Sequence, residues 1–218
     1  MTTTTIDSEP ETRQEIEEPQ PFSRQELSAM LRAPLRMADL VLGERRRLVA
    51  NIAQEHRLPS LLLVLAGATA GFALPFGAVL GPAHFWRVAA LLLGGLAICV
   101  PSLHVFGRYL GARLSGAQTL SVSLAAMAVV SLFTLAFAPI VGFLRVTMTS
   151  SRDVSWEGIA FLLMTGALLA GIGQLFRLLR GAPALRALGP SLGPVLIPWL
   201  GLYLFITFRL ACVLGLVG

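Results

Sequence analysis

The side chains best suited to chemistry in this sequence are a few polar residues set inside long apolar stretches. Arg209 lies near the end of the last stretch, and a charge inside a membrane is costly enough to make it a functional candidate. Its long side chain can also snorkel to the nearer interface, about 12 Å away. The functional interpretation pairs Arg209 with Asp153 or Glu157, the acidic residues of the nearest loop. Both interpretations stay open.

A second polar group closes the second apolar stretch and contains Ser102, His104 and Arg108. His104 and Arg108 are four residues apart and therefore share a helix face. Histidine can shuttle protons or respond to pH, although a histidine near an interface also serves as a polar tip at headgroup depth. A small-molecule or lipid transporter, with Ser102, His104 and Arg209 around a cavity between helices kinked by proline, is the alternative function.

Motifs for catalysis and for metal or cofactor binding are missing from the sequence. There is no HExxH, no GxxxxGK[ST], no GxSxG and no Cys/His cluster with ligand spacing. Cys99 and Cys212 lie at depths that differ by about 15 Å, which is too far for a disulfide. We therefore expect free thiols, no catalytic residue, no cofactor, no metal and no enzymatic activity.

Five apolar stretches of helical length must position these residues. They cover 59–80, 86–106, 120–143, 159–179 and 194–217 in a chain of 218 residues with a mean hydropathy of +0.74. A bilayer core of about 30 Å needs about 20 helical residues, and lipid forces the backbone to satisfy its own hydrogen bonds. The predicted fold class is all-α, a polytopic membrane protein with five transmembrane helices over 58–218.

The sequence before residue 58 divides into two parts. Residues 1–22 are acidic and polar and are predicted to be a disordered tail. Residues 23–57 are predicted to be a cytoplasmic or interfacial amphipathic helical segment. A short helix starts at Ser23, where Glu26 stands at capping-box spacing, and an amphipathic helix follows over 34–57. Its basic side chains are candidate contacts for anionic lipid: Arg36, Arg45, Arg46, Arg47 and Arg57. The alternatives are a plain anchoring signal and a helix that docks a partner.

The distribution of arginine predicts the orientation. The side that holds the N-terminus carries thirteen arginines and the other side three, with Arg209 inside the last span. By the positive-inside rule the N-terminus is cytoplasmic and the C-terminus lies on the far side. The basic residues form no clustered face with groove-reading elements, so nucleic-acid binding is not expected.

Several segments together resemble the bacterial Yip1-like family of five-helix membrane proteins. They are LRAPLR and ERRRL before the first span, CVPSLHVFGRYLGARLSGAQT between the second and third, AFAPIVGFL and TMTSS around the end of the third, and WLGLYLFITFRLACVL in the last. The resemblance covers residues 31–218 and implies a cytoplasmic N-terminus, five helices and a short far-side C-terminus. It implies no catalytic residue. Relatives tend to have tyrosine at the position of His104 and glutamine at that of Arg209.

Together these patterns predict a non-enzymatic scaffold or adaptor in the bacterial inner membrane. The N-terminal segment would contact a cytoplasmic protein partner or the anionic inner leaflet of the bilayer. The helices would anchor the protein, and they leave homo-oligomerisation open because small residues recur at four-residue spacing.

Overall fold

The computed structural model of the chain describes residues 22–109, 111, 113–148, 156–181 and 192–216. The acidic tail before Phe22 lies outside the described residues. Phe22 itself, which the sequence placed in the tail, is buried with 1% of its surface exposed. The described part of the chain therefore begins with a buried residue.

Every element of the described residues is helical, which confirms the all-α fold class. The helices are α1 (Arg24–Arg32), α2 (Pro34–Leu42), α3 (Arg45–Ala53), α4 (Leu58–Leu80), a 3-10 turn (Pro82–His84), α5 (Arg87–Tyr109), α6 (Gly116–Thr147), α7 (Trp156–Gly181) and α8 (Leu192–Val213).

Three segments of the described chain are long and apolar enough to cross a membrane, as expected of an integral membrane protein. They are Leu58–Leu80, Pro82–Tyr109 and Gly116–Thr147. Helices α7 and α8 cover the fourth and fifth predicted stretches, and the apolar parts of them that are fully described, Gly158–Gln174 and Pro198–Val213, are shorter.

Helix α6 is the centre of the bundle. It packs against α4, α5 and α7, and every residue from Ser123 to Ser131 is buried. Most of these side chains are small, which allows close helix approach in lipid. Gly171 of α7 shows how close this approach is, because an added Cβ would collide with Val130 of α6.

Helix α6 begins four residues before the predicted apolar stretch. The Ser115 side chain accepts from the Gln118 backbone N–H, and the Gln118 side chain accepts from the Ser115 N–H. This capping box satisfies two of the amides that a helix start leaves unpaired. Helix α6 therefore has 32 residues, more than a bilayer core needs.

The segment predicted to hold a short helix at Ser23 and an amphipathic helix over 34–57 forms three short helices. The capping box of Ser23 and Glu26 is confirmed and starts α1. Pro34 keeps Ala33 extended, which separates α1 from α2, and Gly43 lies at the break between α2 and α3. We call residues 22–57 the cap, because α1 and α2 contact α4 while α2 and α3 contact α6.

Most of the large apolar side chains of the cap are buried within the protein. They are buried in the same core as the spanning helices: Phe22, Leu27, Met30, Met37, Leu40, Val41, Leu48 and Ile52. Leu35 of the same segment is 85% exposed. The sequence pattern could not tell burial against lipid from burial against α4 and α6, since both environments are apolar.

Candidate functional site

Gln118 joins the cap to the bundle. Besides closing the capping box of α6, its side-chain Nε2 donates to the carbonyl oxygens of Ile52 at 3.2 Å and Ala53 at 3.3 Å. These carbonyls belong to the last turn of α3, where a helix leaves acceptors without a partner of its own. One buried amide thus satisfies both the start of α6 and the end of α3.

The neighbouring residue links α6 to α5. Thr119 Oγ1 lies 3.3 Å from Nδ1 of His104, and it also donates to the Ser115 carbonyl oxygen. His104 is half-buried in the last turns of α5. The contact explains why a histidine is accommodated there, and it places the end of α3, the start of α6 and His104 at one level of the molecule.

Arg47 joins α3 to α1. Its guanidinium lies 2.9 Å from Glu44 and 3.8 Å from Glu26, and it stacks 4.5 Å over the ring of Phe22. The Ser23 backbone N–H lowers the pKa of Glu26 below its ordinary value of 4.5, and the Arg47 charge lowers it further. Arg47, one of the predicted lipid contacts, is therefore engaged in holding the cap together.

Other arginines at this end of the bundle point outward. The exposed ones are Arg32, Arg36, Arg46, Arg57, Arg108 and Arg113. Arg57 caps the start of α4 with a left-handed φ of 51°. The side chain of Arg45 lies outside the described residues. The cap and the α5–α6 connection thus give one end of the molecule an outward-facing basic surface.

Arginines at the opposite end of the bundle contact protein atoms. Arg145 of α6 donates to the carbonyl oxygen of Val79, in the last turn of α4, at 2.7 Å. Arg87 lies 3.3 Å from Nδ1 of His84 in the 3-10 turn. These side chains satisfy a helix end and brace a turn, although Arg145 is itself exposed.

Exposed aromatic residues lie at both ends of α5. Trp86 is 57% exposed immediately before α5, and Tyr109 is 86% exposed at its last position. Helix α5 has 23 residues, a length of about 35 Å, close to the thickness of a bilayer core. Exposed Trp and Tyr favour membrane interfaces, so we expect the two ends of α5 to lie at the membrane boundaries.

The structure separates the residues that the transport alternative would place around one cavity. Ser102 donates to the carbonyl oxygen of Cys99 within α5 at 2.7 Å. Arg209 is exposed on α8, beside Leu210, whose side chain lies against Gly94. Because His104 is ten residues from Gly94 along α5, Arg209 and His104 differ in depth by about 15 Å.

The proposed partners of Arg209 cannot be placed. Asp153 lies outside the described residues, as does the side chain of Glu157 in α7. Cys99 is buried and Cys212 exposed, and both thiols are free. No group of three or more His, Cys, Asp or Glu side chains within the described part of the chain could hold a metal ion.

A buried polar seam between α5 and α8 was not predicted from the sequence. Trp199 Nε1 donates to the Cys99 carbonyl oxygen at 3.0 Å. The Tyr203 ring stacks on Trp199 at 5.6 Å, and its hydroxyl lies 3.2 Å from the sulfur of Met127. Trp199 and Tyr203 are one turn apart on the face of α8 that meets α5 at Gly95. That four-residue spacing was the available signal.

One side chain of the cap is buried without a hydrogen bond. Asn51 in α3 has no exposed surface, and neither its amide nitrogen nor its amide oxygen has a partner among the described residues. An unsatisfied buried amide costs about 1–3 kcal/mol. Asn51 precedes Ile52, whose carbonyl accepts from Gln118, so this cost falls at the contact between cap and bundle.

No protein-family model, curated protein or solved structure matches this chain. The Yip1-like resemblance therefore stays a prediction.

Proposed function

We propose that this chain is a non-enzymatic membrane scaffold or adaptor of Yip1-like type, with five helices crossing the bacterial inner membrane. In this proposal the cap lies on the cytoplasmic side and contacts anionic lipid or a protein partner. The five apolar helices and the excess of arginine at the cap end support this topology.

The proposal rests on one observation, that the cap buries its apolar side chains against the bundle and exposes basic ones. Apolar residues such as Leu40 and Ile52 are buried against the bundle, while Arg32, Arg36 and Arg46 are exposed. A segment that served only as an anchoring signal would need neither a buried core nor the Gln118 contact. A folded, basic, outward-facing surface is what a recruiting element requires.

The test is crosslinking of the full-length protein in native membranes, followed by mass spectrometry of what co-purifies. Deletion of the cap would uncover apolar surface on α4 and α6, so a charge variant is the sharper reagent. We expect the triple variant Arg32→Gln, Arg36→Gln and Arg46→Gln to lose crosslinks to lipid or partner. Arg209→Gln, an exposed arginine on α8, is the matched control. Equal crosslinking by all three proteins would contradict the proposal.

A further inference from the structure

The cap lies beside the ends of the spanning helices and at the level of the lipid headgroups. Its last helix is held by Gln118 through the carbonyls of Ile52 and Ala53. The next residue, Thr119, contacts His104, which precedes Tyr109 by five residues on α5, or about 7.5 Å. The end of α3 is therefore level with a point slightly inside the boundary that Tyr109 marks.

The first two helices of the cap support the same depth. Both contact α4, whose first residue is Leu58 at the cap end of the bundle. A segment that projected away from the membrane could not touch a spanning helix in this way. An interfacial position therefore follows from contacts of the cap with two separate elements, α4 and α6.

The outward face of α2 combines apolar and basic side chains. Leu35 is 85% exposed and Arg36 beside it is also exposed, whereas Met37, Leu40 and Val41 on the other side of the same helix are buried. An exposed leucine beside an arginine at headgroup depth suits a surface that inserts an apolar side chain between lipids and places cations on their phosphates. A soluble protein partner does not explain this depth.

Charge points to anionic lipid. Residues 22–57 contain seven arginines against four acidic residues, and Arg108 and Arg113 at the same end are exposed. Asp39 is exposed as well and offsets part of the charge on α2. Arg47 does not belong to the surface, because both ion pairs found in the described part of the chain use it.

We propose that the outward face of the cap binds anionic phospholipid headgroups, with Leu35 inserted among the lipids and Arg32, Arg36 and Arg46 on their phosphates. This inference rests on the proposed function and narrows its partner to one class, an anionic lipid surface. Each basic residue near such a surface contributes a separable part of the attraction.

The experiment uses the purified full-length protein in neutral detergent micelles. Phosphatidylglycerol or phosphatidylcholine with the same acyl chains is added, and the thermal unfolding midpoint is measured. A ligand that binds only the folded protein raises this midpoint. We expect phosphatidylglycerol to raise it more than phosphatidylcholine, and the difference to shrink between about 0.05 and about 0.5 M salt as charges are screened.

Variants assign the effect to the cap. In the triple variant Arg32→Gln, Arg36→Gln and Arg46→Gln the phosphatidylglycerol shift should fall by about half or more, and in Arg209→Gln it should be unchanged. Leu35→Ser, which leaves the charge intact, should reduce the shift without lowering the midpoint in phosphatidylcholine. Inorganic phosphate at the same concentration should produce no shift.

Three outcomes would overturn the inference. One is an equal shift with both lipids, and another is an equal shift in wild type and the triple variant. The third is a shift that occurs only after residues 2–21 are removed, because the acidic tail would then be the occupant of the surface. Crosslinking of a cytoplasmic protein through the cap, combined with any of these, would leave the scaffold function standing without the lipid.

Discussion

The two ends of the bundle use arginine in opposite ways. At the end opposite the cap, Arg145 donates to the Val79 carbonyl and Arg87 braces His84, so both contribute to closing the bundle. At the cap end a single arginine, Arg47, occupies both ion pairs of the described residues, and other arginines are exposed. The contrast supports the proposal that the cap end contacts something outside the chain.

The largest loss of stability is expected when a buried side chain of the cap is truncated. Leu40→Ala should lower the free energy of unfolding by about 2–5 kcal/mol, because Leu40 is 1% exposed and leaves a cavity. The matched control is Leu35→Ala on the same helix, which is 85% exposed and should change stability by less than about 0.5 kcal/mol in neutral detergent. Equal losses in chemical denaturation would show that the two faces of α2 are not distinct.

A glycine substitution tests how tightly the opposite end is closed. A Cβ at Gly77 would lie 2.5 Å from the Phe85 carbonyl oxygen, so Gly77→Ala must displace backbone and should cost about 1–3 kcal/mol. Gly71→Ala in the same helix has open space around it, and alanine favours the helix. A thermal scan in which Gly71→Ala is the less stable of the two variants would contradict the tight turn.

Gln118 tests whether the cap is held by hydrogen bonds to α6. Gln118→Glu keeps an acceptor for the Ser115 N–H but replaces the donor to Ile52 and Ala53 with oxygen. We expect a loss of about 1–3 kcal/mol and faster amide hydrogen exchange in α3. Exchange that stays unchanged in α3 while the protein is destabilised would place the effect in the helix start alone.

Asn51 offers a change in the opposite direction. Asn51→Leu replaces an unsatisfied buried amide with an apolar side chain that has the same number of heavy atoms, and should raise the unfolding free energy by about 1–3 kcal/mol. A fall in stability in the same denaturation assay would show that the amide of Asn51 has a partner in the folded protein.

The smallest expected effect concerns pH. The folded-state pKa of Glu26 lies below its ordinary value of 4.5, so its ionised form stabilises the fold above that pH. This contribution is lost as the pH falls through the lowered pKa. Glu26→Gln should remove part of the acid sensitivity of the unfolding midpoint. An identical pH profile for both proteins would mean that the contact of Glu26 with Ser23 and Arg47 adds no stability.

The all-helical fold could be predicted from the sequence because long apolar runs have few alternatives to a helix in lipid, and three of the five predicted runs form helices long enough to span a membrane. The capping box at Ser23 was also recognisable, since it depends only on local spacing. The docking of the cap onto the bundle could not be recognised, because an apolar face has the same sequence pattern whether lipid or protein covers it. The seam at Trp199 and Tyr203 could not be recognised either. In the sequence these aromatic residues cannot be distinguished from aromatic residues that face lipid.

The arginines predicted as lipid contacts from charge alone are of two kinds in the structure, exposed and ion-paired. Which kind each one is depends on its neighbours in the fold. Arg36 and Arg46 are exposed, whereas Arg47 is paired with residues on two helices. Spacing placed His104 and Arg108 on one face, but only the fold brings His104 to Thr119. The pairing of Arg209 with Asp153 or Glu157 stays a prediction, because those acidic side chains lie outside the described residues.

The most direct test of the proposed lipid contact is a measurement of how deep the cap lies in a bilayer. A single spin label at position 35, in full-length protein with Cys99→Ala and Cys212→Ser, would be reconstituted into phosphatidylglycerol-containing vesicles. Its accessibility to oxygen and to a water-soluble nickel complex gives its depth. We predict a label at the headgroup boundary that is sheltered from nickel. A label at position 35 that is as open to nickel as an unfolded peptide would contradict it.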